Sequence, residues 1–183
     1  MKNKGFLLIL LVFVNFGFNQ IKEEQYRLFK TVKQDYNLSG IKKKGLFTVI
    51  NKSDVVKLNE PLKALAAYYA AMASSDFEDD GYSLVNALNL GKQGSSEHKQ
   101  LIEKWFPKDN VAKILLKQDC FQPAPGSSYF RFYNNLDFKV KGDTITINYV
   151  VGLYNHGKSS ILKDTDIALI KNNEIIMLKQ NIW

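Results

Sequence analysis

The C-terminal third of the chain constrains the fold most, because its apolar residues recur at every second position. A period of two places alternate side chains on opposite faces of a β-strand. Turn residues at Gly142-Asp143, Asn155 to Ser159 and Asn172-Asn173 separate these runs and favour antiparallel pairing of consecutive strands. We therefore predict an antiparallel β-meander of about four to five strands over residues 128–183. The residues expected on its helix-facing side are Phe130, Phe132, Leu136, Phe138, Val140, Ile145, Ile147, Tyr149, Val151 and Leu153.

Helical patterns dominate the residues before this sheet. Apolar residues at helical spacing predict a first helix over 21–36. Asn59-Glu60-Pro61 is a favourable start for a second, because asparagine caps free amides and proline fits the first turn. Three further helices are predicted at about 82–90, around Leu101 to Phe106 and after Asp109, and one short strand, which could lie at an edge, at 46–50.

The order of these elements predicts the fold class. Helices followed by strands, without alternation, are typical of an α+β domain. We expect a single domain over 20–183, with N-terminal helices packed on one face of a C-terminal antiparallel β-meander. The helical part would cover about 20–122, and a linker rich in proline, glycine and serine at 123–128 would lead into the sheet part. The layout resembles cystatin-like and nuclear-transport-factor-like cones, and this resemblance implies an architecture only.

Residues 1–19 have the pattern of a secretory signal peptide. Lys2 and Lys4 precede an apolar run from Phe6 to Val14, which is followed by small and polar residues. The run is about ten residues long, whereas a transmembrane helix needs about twenty. We therefore expect export and cleavage near Asn19/Gln20 without stable membrane insertion, giving a soluble protein that is secreted or periplasmic, in a bacterial host. Because there is no cysteine at this junction, the sequence does not predict a lipid anchor.

The charge balance argues against nucleic acid as a partner. The chain has a formal net charge of +7, which falls to +5 when Lys2 and Lys4 leave with the signal peptide. Only Arg27 and Arg131 are arginines, whereas nucleic-acid readers rely on arginine for bidentate contacts to guanine and phosphate. The lysines are spread along the chain, as on a solvated surface that is weakly attracted to anions.

The sequence predicts no catalytic residues, cofactor or metal ligands. Cys120 is the only cysteine, which excludes an intrachain disulfide, and we expect it to be buried. His98, expected at the surface, and His156 have no second ligand at helical spacing. The acidic run from Asp76 to Asp80 does not fit a calcium loop, because Ala87 stands at the twelfth position. We therefore favour a protein that is not an enzyme.

One face of the predicted sheet is the candidate binding site. Tyrosine and arginine are enriched at binding hot spots. The residues expected to face away from the helices are Tyr129, Arg131, Tyr133, Ile175 and Met177. The sequence therefore favours an exported binding or interaction protein whose partner is another protein of the periplasm or envelope. The alternatives are ordinary cross-strand pairing at this face, and a small-ligand pocket protein or hydrolase of the cell envelope.

Overall fold

A computed structural model describes residues 22–73, 83–117, 129–155 and 157–181. Within these ranges the chain is an α+β protein with a mostly antiparallel sheet, as predicted. The signal peptide, the acidic run, Cys120, the linker and His156 lie outside the described residues. The elements are β1 (Glu23–Arg27), β2 (Phe29–Leu38), β3 (Ile41–Ile50), α1 (Lys52–Val55), α2 (Glu60–Met72), α3 (Leu84–Ala87), α4 (Ser96–Trp105), α5 (Asn110–Lys117), β4 (Tyr129–Lys141), β5 (Thr144–Asn155), β6 (Lys158–Lys171) and β7 (Glu174–Lys179).

The C-terminal strands form the predicted meander. The main sheet has the order β1-β4-β5-β6-β7, and every neighbouring pair is antiparallel. Asn172 and Asn173 both have positive φ, at 53° and 59°, which suits the two-residue turn between β6 and β7. The turn between β4 and β5 lies at Gly142-Asp143, where Gly142 has a φ of 59°.

The predicted helix over 21–36 is wrong, because these residues form β1 and most of β2. β1 pairs along β4 from Glu23 opposite Lys141 to Arg27 opposite Asp137. The backbone N–H of Leu28 then donates to the carbonyl of Leu136 over 2.9 Å. Pairing with a strand more than a hundred residues away thus overrides the local helical spacing.

The strand predicted at 46–50 is part of a longer hairpin. β2 and β3 pair over ten residues each and form a separate two-stranded sheet. Ser39 and Gly40 join them with positive φ values of 51° and 81°, as a tight hairpin turn requires. The residues around this turn are mostly lysines and other polar residues, and they are exposed. The apolar pattern therefore predicted only the last five residues of β3.

The helix starts at Asn59 and Asp109 are confirmed. The side chain of Asn59 accepts a hydrogen bond from the N–H of Leu62, and that of Asp109 accepts one from the N–H of Ala112. The helix predicted over 82–90 is shorter, because α3 contains four residues. α4 contains the expected Leu101, Ile102 and Trp105.

α2 lies at the centre of the core and is buried on nearly every side. The alanines of this helix allow close approach of neighbouring elements. Tyr69 reaches the sheet by a hydrogen bond to Asp166 of β6, and Tyr133 of β4 donates to the carbonyl of Tyr69. The fully or almost fully buried residues of α2 are Leu62, Ala64, Leu65, Ala66, Ala67, Tyr68, Tyr69, Ala70, Ala71 and Met72.

A β-bulge in β4 decides which residues face the core. Tyr133 lies opposite Val151, whereas Asn135 lies opposite Val150, so Asn134 is an extra residue. The alternation is therefore reversed on the two sides of the bulge. We call the buried side of the main sheet the inner face, which carries Tyr133, Leu136, Phe138, Ile145, Ile147, Tyr149, Val151, Ala168 and Ile175, and the opposite side the outer face.

Candidate functional site

Tyr133 and Ile175, two of the residues predicted for the binding face, are buried on the inner face, so the outward orientation predicted for them is wrong. Tyr133 is buried, and its hydroxyl donates to the carbonyl of Tyr69 over 3.0 Å. Ile175 is also part of the core. Arg131 and Met177 are half-buried. The side chain of Tyr129 lies outside the described residues.

The strand register places Arg131, Tyr133, Ile175 and Met177 on the same face of the sheet, on two separated strands. Arg131 lies opposite Leu153, and Met177 lies opposite Ala168, which is completely buried. Direct cross-strand partners in an antiparallel sheet point to the same side. The structure thus brings Arg131 and Tyr133 together on β4, whereas Met177 belongs to β7, three strands away.

Two sequence features hid the correct orientation. In β4, Asn134-Asn135 interrupts the alternation, and the spacing of three between Tyr133 and Leu136 was the signal of a bulge. In β7, the four residues from Ile175 to Leu178 are all apolar, so the sequence does not show which of them face the core. Only the pairing with β6 decides that Ile175 points inward.

An apolar row crosses the outer face near one end of the three central strands. Gly152 of β5 lies opposite Phe132 of β4 and Ile161 of β6, so the three residues form one line across the central strands. A Cβ atom at Gly152 would lie 2.4 Å from the Phe132 ring, so only glycine lets this ring cover β5. Ile161 is 72% exposed and Phe132 is 38% exposed.

A second exposed apolar group lies towards the other end of the outer face. Leu169 of β6 pairs with Ile176 of β7, and Leu178 is the extra residue where the register shifts between Met177 and Lys179. Leu178 is 60% exposed. Between the two groups the outer face carries the exposed Lys139 and Lys163, which lie opposite Thr146 and Val150 of β5. The outer face therefore combines exposed apolar side chains with positive charge.

A buried carboxylate lies in the core between α2 and the sheet. Asp166 is fully buried and accepts hydrogen bonds from the hydroxyls of Tyr69 (2.5 Å) and Tyr149 (3.3 Å) and from the N–H of Asn181 (2.8 Å). Burial and the charge of Asp166 raise the pKa of both tyrosines, which keeps them protonated as donors. The Asp166 carboxylate thus accepts three hydrogen bonds from the protein, and the one from Asn181 attaches the C-terminal segment to the core.

His98 is buried, so the prediction of a surface position is wrong. Its Nδ1 accepts from the N–H of Gly94 over 3.1 Å, and its Nε2 lies 2.9 Å from the carbonyl of Ala67. One nitrogen that accepts and one that donates define a neutral imidazole, which here joins α4 to α2. Among the described residues, no group of three His, Cys, Asp or Glu side chains could hold a metal ion.

A polar cleft of about 320 Å³ is lined by Gln25, Arg27, Asn51 and Asp54. Its groups form hydrogen bonds with one another. The backbone N–H of Arg27 donates to the Asp54 carboxylate, and the side-chain amide of Asn51 donates to the backbone carbonyl of Arg27. The Arg27 N–H, together with Lys57, holds the pKa of the Asp54 carboxyl below its usual range. This pairing fixes the start of α1 against β1.

Comparisons with known proteins give no relative from which a function could be transferred. No protein-family model, no curated protein and no solved structure matches the chain. In the part of the chain that the structure describes, no helix is both long and apolar enough to cross a membrane. The surfaces of this chain are therefore the basis on which a function can be assigned.

Proposed function

We propose that this chain is an exported binding protein that docks another protein on the outer face of its main sheet. The row of Phe132, Gly152 and Ile161 is the observation that carries the proposal. Protein interfaces have apolar centres with aromatic anchors, and exposed apolar groups on one surface are typical of docking sites.

The row lies on paired strands. Gly152 of β5 is paired with β4 on one side and β6 on the other. The pairing of β1 covers Asp137 to Lys141 of β4 and that of β7 covers Ile167 to Lys171 of β6, so Phe132 and Ile161 are paired through β5. Lys139 and Lys163 add positive charge beside the apolar row, so the expected partner presents an apolar patch with acidic residues at its rim.

The alternative of a small-ligand or hydrolytic envelope protein has less support. Its site would be the cleft at Gln25, Arg27, Asn51 and Asp54. The hydrogen bonds within this cleft already engage Asn51 and Asp54. The geometry therefore favours the outer face, and we assign no catalytic residues.

Export is proposed from residues 1–19. Two lysines followed by a short apolar run are the pattern that secretory machinery recognises. The partner is accordingly expected outside the cytoplasm, in the periplasm or envelope or in the medium.

Site-specific photo-crosslinking in the producing cells tests the docking surface. A photo-reactive phenylalanine analogue placed at Ile161 should give a discrete crosslinked polypeptide. The matched control is Ile114, an exposed apolar residue of α5 in the helical part. The product at Ile161 should disappear in a Phe132→Asp background. Equal crosslinking at Ile161 and Ile114, or none at Ile161, would refute the proposed surface.

A further inference from the structure

The β2–β3 hairpin is a separate feature that the outer-face proposal does not use. We call residues 29–50 the arm. Its base is anchored, because Ile50 is buried and Phe29 stacks on Tyr133 with ring centroids 6.1 Å apart. Its two strands pair with each other over ten residue pairs, and within the described residues no other strand pairs with them. At about 3.3 Å per residue, the arm is about 30 Å long.

Most apolar residues of the arm lie on one face, together with Lys30, Gln34 and Lys43. Residues on this face alternate with those of the opposite face, which carries the exposed Leu46, and pair across the two strands. The ring of Tyr36 packs edge-on against that of Phe47, with centroids 5.6 Å apart. A Cβ atom at Gly45 would lie 3.0 Å from both rings, so this glycine makes room for the pair. The apolar residues of this face are Val32, Tyr36, Leu38, Ile41, Phe47 and Val49.

The most exposed apolar residues of this face lie at the tip of the arm, away from the body. Leu38 and Ile41 face each other across the Ser39-Gly40 turn and are 51% and 61% exposed. An isolated two-stranded hairpin has no core that could bury such residues. Their position favours contact with a surface outside the chain.

The charge of the arm identifies the chemistry of that surface. The arm carries Lys30, Lys33, Lys42, Lys43 and Lys44, and Asp35 is its one acidic residue. Three of these lysines directly follow the tip residue Ile41, and their side chains are exposed. An apolar tip bordered by lysines complements the interface of an anionic bilayer, where apolar groups enter the headgroup region and lysines remain near phosphate.

We propose that the tip of the arm docks on a membrane surface rich in anionic phospholipid. Leu38 and Ile41 enter the interface, Tyr36 lies at the headgroup level, and Lys42 to Lys44 contact lipid phosphates. Binding is peripheral and uses none of the outer-face residues proposed to contact the protein partner. This inference does not depend on that partner.

Vesicle co-sedimentation of residues 20–183, which include every described element, tests the proposal. Vesicles of phosphatidylglycerol mixed with phosphatidylcholine should bind the protein, and pure phosphatidylcholine should not. Replacing Lys42, Lys43 and Lys44 by Gln should weaken binding about a hundredfold, at about 1 kcal/mol for each lysine near the surface. The matched control replaces the exposed body lysines Lys141, Lys158 and Lys171 by Gln, with an expected change of less than about threefold.

A second variant separates tip insertion from charge attraction alone. Leu38→Asn with Ile41→Asn keeps the charge and should weaken binding at least about tenfold. The thermal unfolding of this variant should be unchanged, because both residues lie outside the core. Equal binding to neutral vesicles, equal losses in the body-lysine control, or no effect of the asparagine variant would each overturn the proposal. A dimer in sedimentation equilibrium that the asparagine variant dissociates would instead assign the tip to a second copy of the chain.

Discussion

Raising the pH above 10 should destabilise the folded state of this protein, because folding keeps several tyrosines neutral. Tyr68, Tyr69 and Tyr133 form a buried group in which the ring of Tyr69 lies between the other two. Burial raises the pKa of all three, and the charges of Asp109 and Asp166 raise those of Tyr68 and Tyr69 further. Burial raises the pKa of Tyr149 as well. None of these phenols can ionise at moderate pH without opening the core.

The magnitude follows from proton linkage. Below about pH 10 the tyrosines are protonated in both states and the stability is unaffected. Above that pH the unfolded chain ionises while the folded chain does not, so the unfolded state binds fewer protons and the free energy of unfolding falls. At about pH 11, ionisation of each phenol in the unfolded chain lowers the free energy of unfolding by about 1.4 kcal/mol. The three residues Tyr68, Tyr69 and Tyr133 together lower it by about 4 kcal/mol. This is a large part of the 5 to 15 kcal/mol that is typical of a domain, as a rough range.

Urea unfolding followed by circular dichroism between about pH 9 and about pH 11 measures this loss. Tyr133→Phe should reduce the decline between these pH values by about 1.4 kcal/mol, even though it lowers stability at neutral pH by removing the bond to the Tyr69 carbonyl. Tyr36→Phe is the matched control, because this ring lies on the arm and should leave the decline unchanged. A constant free energy of unfolding, or tyrosinate absorbance from the buried group while the fold persists, would refute the reasoning.

Two further predictions concern the outer face and the N-terminus. Gly152→Ala should destabilise the protein by about 1 kcal/mol at most, because the partly exposed Phe132 ring must rotate off β5 to admit the new methyl group, and urea unfolding should show that Phe132→Ala removes most of this cost. Additive losses in the double variant would contradict that contact. Intact-mass analysis of the exported protein should give a chain that begins near Gln20, and a retained Lys2 would contradict the proposed signal peptide.

Local chemistry made several elements predictable from the sequence. The helix starts at Asn59 and Asp109 depend on side-chain bonds within four residues, and these bonds form as expected. The turns at Gly142 and Asn172-Asn173 likewise depend on a few residues that tolerate positive φ. The alternation in β5 was also correct, because no bulge interrupts it and Ile145, Ile147 and Tyr149 are all buried.

The candidate site was less predictable because its orientation depends on register. Asn134 reverses the faces of β4, so Phe132 points outward and Tyr133 points into the core. His98 lies between two charged neighbours in the sequence, yet it is buried because Ala67 and Gly94 supply backbone partners from outside its own helix. Neither effect can be read from nearby residues alone.

The sequence by itself determined the α+β class, the C-terminal meander and the main helix starts, since these arise from hydrophobic period, capping and turn chemistry. The tertiary structure alone decided that residues 23–38 are strands, which face of the sheet is exposed, and that the arm stands apart from the core. The physical reason is that pairing between distant strands fixes the register. A shift of one residue in that register moves every side chain to the opposite face.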